Sequence, residues 1–207
     1  MKDFKALASA ESVERTVKAL AENGIEAHVL DTKEAATKKV LELIPRGAEV
    51  FTAGSVTLDE LGLARELNES GRYDAVKPRL MKMDQKTQGR EMRKLGTAPD
   101  VAIGSAHAVT ETGSVLFASL TGSQLPAYAY GAGTVIWIVS AKKIVKDVEE
   151  GFKRIYEHIV PLESVRARKA YGLPDSFNSF PSKVLVFNRE IQSGRVKMLI
   201  VNEDLGF

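Results

Sequence analysis

Polar and apolar positions run along this chain in two rhythms. Near the amino end Val13, Val17, Leu20 and Ala21 recur at helical spacing and mark one apolar face. Asn23 and Gly24 follow, residues that tolerate the left-handed turn closing a helix. Residues 26–30 predict a short strand. Asp31 predicts the next helix cap, with Glu34 three residues on, ahead of a stripe made by Ala36, Val40, Leu43 and Ile44. Pro45 and Gly47 end that helix, and 48–53 reads as a buried strand. Residues 56–70 predict a helix broken near Gly62, and 78–95 a second one whose less polar positions are Leu80, Met83 and Met92.

Beyond Asp100 the rhythm changes. VAIGS (101–105), SVLFAS (114–119) and TVIWIVS (134–140) are apolar at successive positions and rich in β-branched residues, as strands covered on both faces require. Val148, Phe152, Ile155, Tyr156 and Ile159 then predict an amphipathic helix, followed by a further helix over 162–171 that stops at Gly172 and Pro174. KVLVFN and VKMLIV close the chain, and Gln192-Ser193-Gly194 between them predicts a β-hairpin. This alternation predicts an α/β fold: a three-layer αβα sandwich with a mostly parallel sheet and a C-terminal β-hairpin. Residues 1–207 are expected to form a single domain, with 1–45 as its N-terminal helix–strand–helix part.

Composition narrows the function. A chain of 207 residues can bury roughly 70% of its unfolded surface, so its core needs no covalent staple. The net charge of +2 gives no basic stripe, and the Lys77–Lys94 stretch reads as a solvated helix face; no nucleic-acid partner is expected. The absence of cysteine excludes disulfides, thiolate metal sites and an iron–sulfur cluster held by this chain. His28, His107 and His158 lack metal-ligand spacing, so no metal site is expected. No window nears the roughly 18 apolar residues of a membrane span, and MKDFKALASAES has no apolar leader core. The expected location is the cytoplasm, away from membranes.

Three strand ends are rich in Gly, Ser and Thr. The first carries Gly54, Ser55 and Thr57, which can hold a phosphate or carboxylate or simply cap a helix. The second, 104–113, carries Gly104, Ser105, His107, Glu111 and Gly113. Open α/β sheets place ligands at such carboxyl ends. Glu111 there can act as base or nucleophile, or as a turn cap; His107 reads more naturally as a hydrogen-bonded structural residue. The third carries Thr121, Gly122 and Ser123, with Tyr128 and Tyr130 as pocket walls or as core. Gly131-Ala132-Gly133 precedes a strand, which fails the context of a dinucleotide fingerprint. Lys142, beside Lys143 after the TVIWIVS strand, can pair with an anionic ligand or face solvent.

The stretch DVAIGSAHAVTETGSVLFASLTGSQLPAYAYGAGTVIWIVSAKKIV resembles the central signature of the LUD-domain (lactate utilisation) family. FTAGSVTLDELGL, PLESVRARKAYG and LIVNEDLGF resemble the same family. The resemblance implies the ribose-phosphate isomerase/CoA-transferase-like fold. Gly54-Ser55-x-Thr57 is similar to the phosphate loop of the isomerases. Glu111-Thr112-Gly113 is similar to the Glu-Asn-Gly of CoA transferases, whose glutamate forms the acyl thioester. Thr112 stands where those enzymes have asparagine, and their glycine-rich oxyanion loop is not evident. Two functions follow as expectations. One is binding of a small anionic metabolite (carboxylate, sugar phosphate or acyl-CoA) at the sheet's carboxyl edge, with isomerase-like or acyl/CoA-transferase-like chemistry through Glu111. The other is a non-catalytic accessory or regulatory subunit of a lactate-oxidising complex, beside iron–sulfur or flavin oxidoreductase partner subunits. No cofactor is expected in the chain itself, CoA being a substrate at most, and a homodimer is the expected assembly.

Overall fold

The computed structural model describes residues 3–207. In chain order the elements are α1 (Ala10–Glu22), β1 (Glu26–Leu30), α2 (Lys33–Leu43), β2 (Glu49–Thr52), α3 (Val56–Glu60), α4 (Leu63–Glu69), β3 (Asp74–Ala75), α5 (Val76–Met81) and α6 (Gln85–Thr97). They continue with β4 (Val101–Gly104), β5 (Ala108–Thr110), β6 (Val115–Ser119), β7 (Thr134–Ser140), β8 (Ile144–Val145), α7 (Val148–Lys153), α8 (Val160–Tyr171), β9 (Lys183–Phe187) and β10 (Val196–Val201).

The main sheet has six strands in the order β1-β10-β7-β4-β2-β3, every neighbouring pair parallel. Its strands therefore all end on one edge. On one face Ala36, Val40, Leu58, Leu63 and Leu67 of α2–α4 cover Val50, Ile103, Ile136, Ile138 and Leu199. On the other, Val13 and Leu20 of α1 lie in one core with Trp137, Val139, Met198 and Ile200. Burying each such side chain stabilises the fold by about 1.5–3 kcal/mol, so the continuous apolar runs at β7 and β10 place those strands at the centre.

A second sheet, β8-β5-β6-β9, shares that face with α1. Alternate residues of β6 serve its two sides: Val115 and Phe117 join the Trp137 core, while Leu116 packs with Ala108, Val145 and Ile155 under the α7 helix. This second sheet adds to the expected helix–sheet–helix layering of the main sheet, and it explains why SVLFAS lacks a polar side. Within 104–113, residues 108–110 pair as β5 with both β6 and β8.

The expected C-terminal hairpin is absent. β9 pairs antiparallel with β6 in the second sheet, whereas β10 lies between β1 and β7 in the main one. The turn at Gln192-Ser193-Gly194 exists, but it belongs to a crossover between sheets. Burial decided the matter, since VKMLIV is apolar on both sides and is best covered inside a parallel sheet.

Three smaller differences are local. Thr32, not Asp31, caps α2, its hydroxyl accepting from the Ala35 N–H at 3.2 Å. The helix expected over 78–95 is two, α5 and α6, with a further non-helical residue at Gln88. The two helices expected from 147 to 171 run together through a π-helical segment, Arg154–Ile159, just before Pro161. A wide turn there suits a residue with no N–H to give. No helix among the described residues is long and apolar enough to cross a membrane.

Candidate functional site

β2, β4 and β7 lie side by side, and a polar turn follows each. After β2 the chain passes Gly54 and Ser55 into α3, which carries Thr57. After β4 it carries Ser105. After β7 a single 3-10 turn, Ala141–Lys143, presents two lysines. Ser140 organises that turn: its hydroxyl accepts from the Lys142 N–H at 3.3 Å and donates to the Glu203 carbonyl at 2.6 Å.

These three turns bring one cation onto two hydroxyls. Lys143 Nζ lies 3.1 Å from Thr57 Oγ1 and 3.0 Å from Ser105 Oγ. Lys143 is 4% exposed and Thr57 1%. Burial drives the lysine from its ordinary 10.5 down to about 7, with help from the positive charges of Arg154 and Lys142; Glu60 opposes them. His107 joins the same field. Burial, then Lys143 and Arg154, push its imidazole from 6.5 to about 3. Its Nδ1 accepts from the Ala118 N–H at 3.2 Å, so the neutral ring carries its proton on Nε2.

Arg154 is the second buried cation of this cluster. Its side chain is fully buried, and one Nη donates to the His107 carbonyl, while Nε and the other Nη have no partner among the described residues. Burial lowers it to about 10, which leaves it charged at neutral pH. Buried donors without acceptors are costly, about 1–3 kcal/mol each and more for a charged group. Such donors call for an acceptor from water, an ion or a ligand.

The carboxyl end of β10, next to β7, supplies a cover. Lys142 Nζ pairs with Asp204 and donates to the Gly206 carbonyl at 2.6 Å. The Gly206 N–H donates to Glu60 Oε2 at 2.9 Å, and Leu205 is fully buried. A Cβ on Gly206 would stand 2.3 Å from Thr57 Oγ1 and 3.3 Å from Lys143 Nζ. With φ at +61°, this position admits glycine on both conformational and steric grounds.

The structure thus brings together Thr57, Ser105 and His107 of the sequence-predicted residues, with Lys142 holding the cover. Others have separate surroundings. Ser55 caps α3, accepting from the Leu58 N–H at 3.4 Å, and Gly54 precedes it in open space. Gly104 makes room for the Tyr128 ring, whose Oη would lie 1.8 Å from an added Cβ. Tyr128 is core, stacked near Phe117 and Trp137, whereas Tyr130 is exposed. Glu111 accepts from Ser12 Oγ at 2.6 Å and from Arg15 Nε at 2.8 Å, which ties the β5–β6 turn to α1. Gly113 lies in that turn against Ala19. Thr121, Gly122 and Ser123 follow β6 of the second sheet. The Gly122 N–H donates to Ser119 Oγ at 2.8 Å, and the Ser123 N–H to Thr121 Oγ1 at 3.3 Å.

Sequence reasoning passed over Arg154 and did not separate Lys143 from Lys142. The available signal for Arg154 was a cation three residues after Gly151, on the spacing of a buried helix face. Adjacent lysines carry no such signal. An open groove of about 710 Å³ between α2 and α3 shares just Glu60 with the cluster, so burial and charge, not concavity, mark the site. Among the described residues no group of His, Asp and Glu could hold a metal ion.

The family model for the LUD domain matches residues 13–183. No curated protein matches the chain. Among solved structures, a DUF162 family protein from Deinococcus radiodurans aligns with a TM-score of 0.55 at 14% identity, covering 95% of this chain and 100% of that one. At that identity the likeness shows the fold alone. Ribose 5-phosphate isomerase from Plasmodium falciparum aligns at 0.35 and 18% identity over 55% of this chain and 52% of its own. The delta subunit of eIF2B from Chaetomium thermophilum aligns at 0.36 and 14% identity over 70% and 58%. Neither score carries an inference about this chain.

Proposed function

The chain belongs to the LUD-domain family, and from that premise we propose that it binds a small anionic metabolite at the carboxyl edge of its main sheet. The observation that carries this reading is a pair of buried cations without hydrogen-bonded carboxylate partners among the described residues. Lys143 rests on two hydroxyls, and Arg154 has two unanswered donors. A carboxylate or phosphate would supply the missing acceptors, and in a desolvated site such charge-assisted bonds are roughly twice as strong as neutral ones. Thr57 and Ser105 would orient it. The ligand class is a carboxylate, a sugar phosphate or an acyl-CoA, used in the cytoplasm in a lactate-utilisation or related carbon-metabolism setting.

The test is a thermal-shift titration with inorganic phosphate, lactate, pyruvate, ribose 5-phosphate and acetyl-CoA. A ligand at a hundred times its Kd adds about 2.7 kcal/mol, a shift of several degrees for a domain of this size. The stabilisation should vanish in Lys143→Met and persist in Glu111→Gln. If no anion stabilises the protein, the reading fails. An accessory-subunit role beside an oxidoreductase would then be pursued by pull-down.

A further inference from the structure

The hydrogen bonds around the Lys143 amine bear on its charge state. An ammonium has three N–H groups to place, and among the described residues Lys143 has two acceptors, Thr57 Oγ1 at 3.1 Å and Ser105 Oγ at 3.0 Å. A neutral amine has two N–H groups and a lone pair. Two hydroxyl acceptors therefore satisfy the neutral form and leave its lone pair uncommitted, whereas the ammonium form keeps one N–H for an anion to answer. The charged neighbours agree, since Arg154 and Lys142 disfavour a third positive charge beside them, while Glu60, which favours it, is engaged by the Gly206 N–H. A desolvated lysine among cations is one of the standard ways to prepare an amine for attack on a carbonyl.

We propose, resting on the anion-site reading, that Lys143 is a nucleophile toward the carbonyl carbon of a small oxo acid, and that Lys142 and Arg154 select the acid's carboxylate. The amine lone pair forms a C–N bond as the carbonyl π electrons move to oxygen, which takes up a proton. The nitrogen then loses a proton, and the carbinolamine hydroxyl leaves as water after protonation. The product is a protonated imine between Nζ and the former carbonyl carbon, the form that cyanoborohydride reduces. Thr57 and Ser105, both within hydrogen-bond reach of Nζ and 3.4 Å from each other, are placed to pass these protons. No oxidant or reductant is consumed in this step.

The segment after β10 controls access. Gly206 packs over Nζ, and the cover is held by the Lys142–Asp204 pair and by the bond to Glu60. Asp204 is largely exposed, so its pairing exchanges readily with solvent. When a substrate carboxylate takes the place of Asp204 on Lys142, the cover is released as the acid enters.

Reductive trapping tests this. Wild type, Lys143→Met and Gly206→Ala are incubated with glyoxylate and sodium cyanoborohydride, and adducts are mapped by peptide mass spectrometry. The expected result is an adduct at Lys143 that forms faster in Gly206→Ala, where an added Cβ cannot coexist with the closed cover. Uncharged propanal should label Lys143 at least about tenfold more slowly, the worth of one charge-assisted contact. Lys143→Met should melt at or above the wild-type temperature and lose that adduct alone. If exposed lysines react while Lys143 stays unmodified in both wild type and Gly206→Ala, the nucleophile proposal is overturned. The anion reading is judged separately, by whether phosphate still raises the melting temperature. If propanal labels Lys143 as fast as glyoxylate, the oxo-acid assignment is overturned.

Discussion

Two buried cations in this protein live under opposite conditions. Arg195 pairs with Glu190 and also donates to the carbonyls of Ala132 at 3.0 Å, Tyr128 at 2.9 Å and Ala127 at 3.2 Å. Both charged side chains of that pair are less than a tenth exposed. Every guanidinium nitrogen has work to do, and the work is to clamp the segment before β7 onto the start of β10. Lys143 and Arg154 are equally buried, yet neither pairs directly with a carboxylate among the described residues. A paired buried charge holds a fold together, whereas an unpaired one is a cost the fold carries for another purpose.

The largest effect that could break this comparison is at Arg195. Arg195→Met would leave Glu190 unpaired and remove the bonds to three carbonyls, and should destabilise the protein by about 3–5 kcal/mol in chemical denaturation. Lys143→Met should do the reverse. Below pH 7 it removes an unpaired buried charge and keeps the packing, so stability there should hold or rise by roughly 1–4 kcal/mol. Equal losses in the two variants would erase the distinction between clamp and site.

A pH series sharpens the same contrast. Lys143 titrates at about 7 in the folded protein and near 10.5 when unfolded. Between those values the unfolded chain binds the extra proton, so stability should rise with pH, by at most about 1.4 kcal/mol per pH unit. Below pH 7 the lysine is charged in both states and its burial cost is fully present. This rise should be missing from Lys143→Met. His107 acts in the acid range, from 6.5 down to about 3, where the unfolded state again holds more protons. Stability should fall as pH drops through that window, and the fall should be shallower in His107→Gln. The smallest effect is at Ser12, whose bond to Glu111 ties α1 to the β5–β6 turn. Ser12→Ala should cost about 1 kcal/mol and leave phosphate stabilisation intact. Loss of that stabilisation would move the site toward Glu111.

Much of the architecture was legible because burial writes itself into periodicity. Val13, Val17 and Leu20 announced α1, and TVIWIVS announced a strand covered on both sides. What misled was proximity. KVLVFN and VKMLIV are separated by a short turn, and local turn chemistry favours a hairpin. Long-range burial outweighed it and placed them in different sheets. SVLFAS likewise looked like a main-sheet strand, since a run without a polar face cannot say which two layers enclose it.

The candidate site divides in the same way. Thr57 and Ser105 could be named from their strand-end turns, because polar residues after a buried strand are conspicuous. Glu111 was conspicuous too, but its surroundings on α1 lie 99 residues away in sequence, beyond any local pattern. By itself the sequence determined an α/β chain with its polar turns at strand ends and no thiol chemistry. Only the tertiary structure decided which lysine of an adjacent pair is held by Asp204 and which rests on hydroxyls, and that Arg154 of a distant helix shares its field. The reason is physical: a side chain's charge state depends on what surrounds it in space, and neighbours in space are set by sheet order, not by position in the chain.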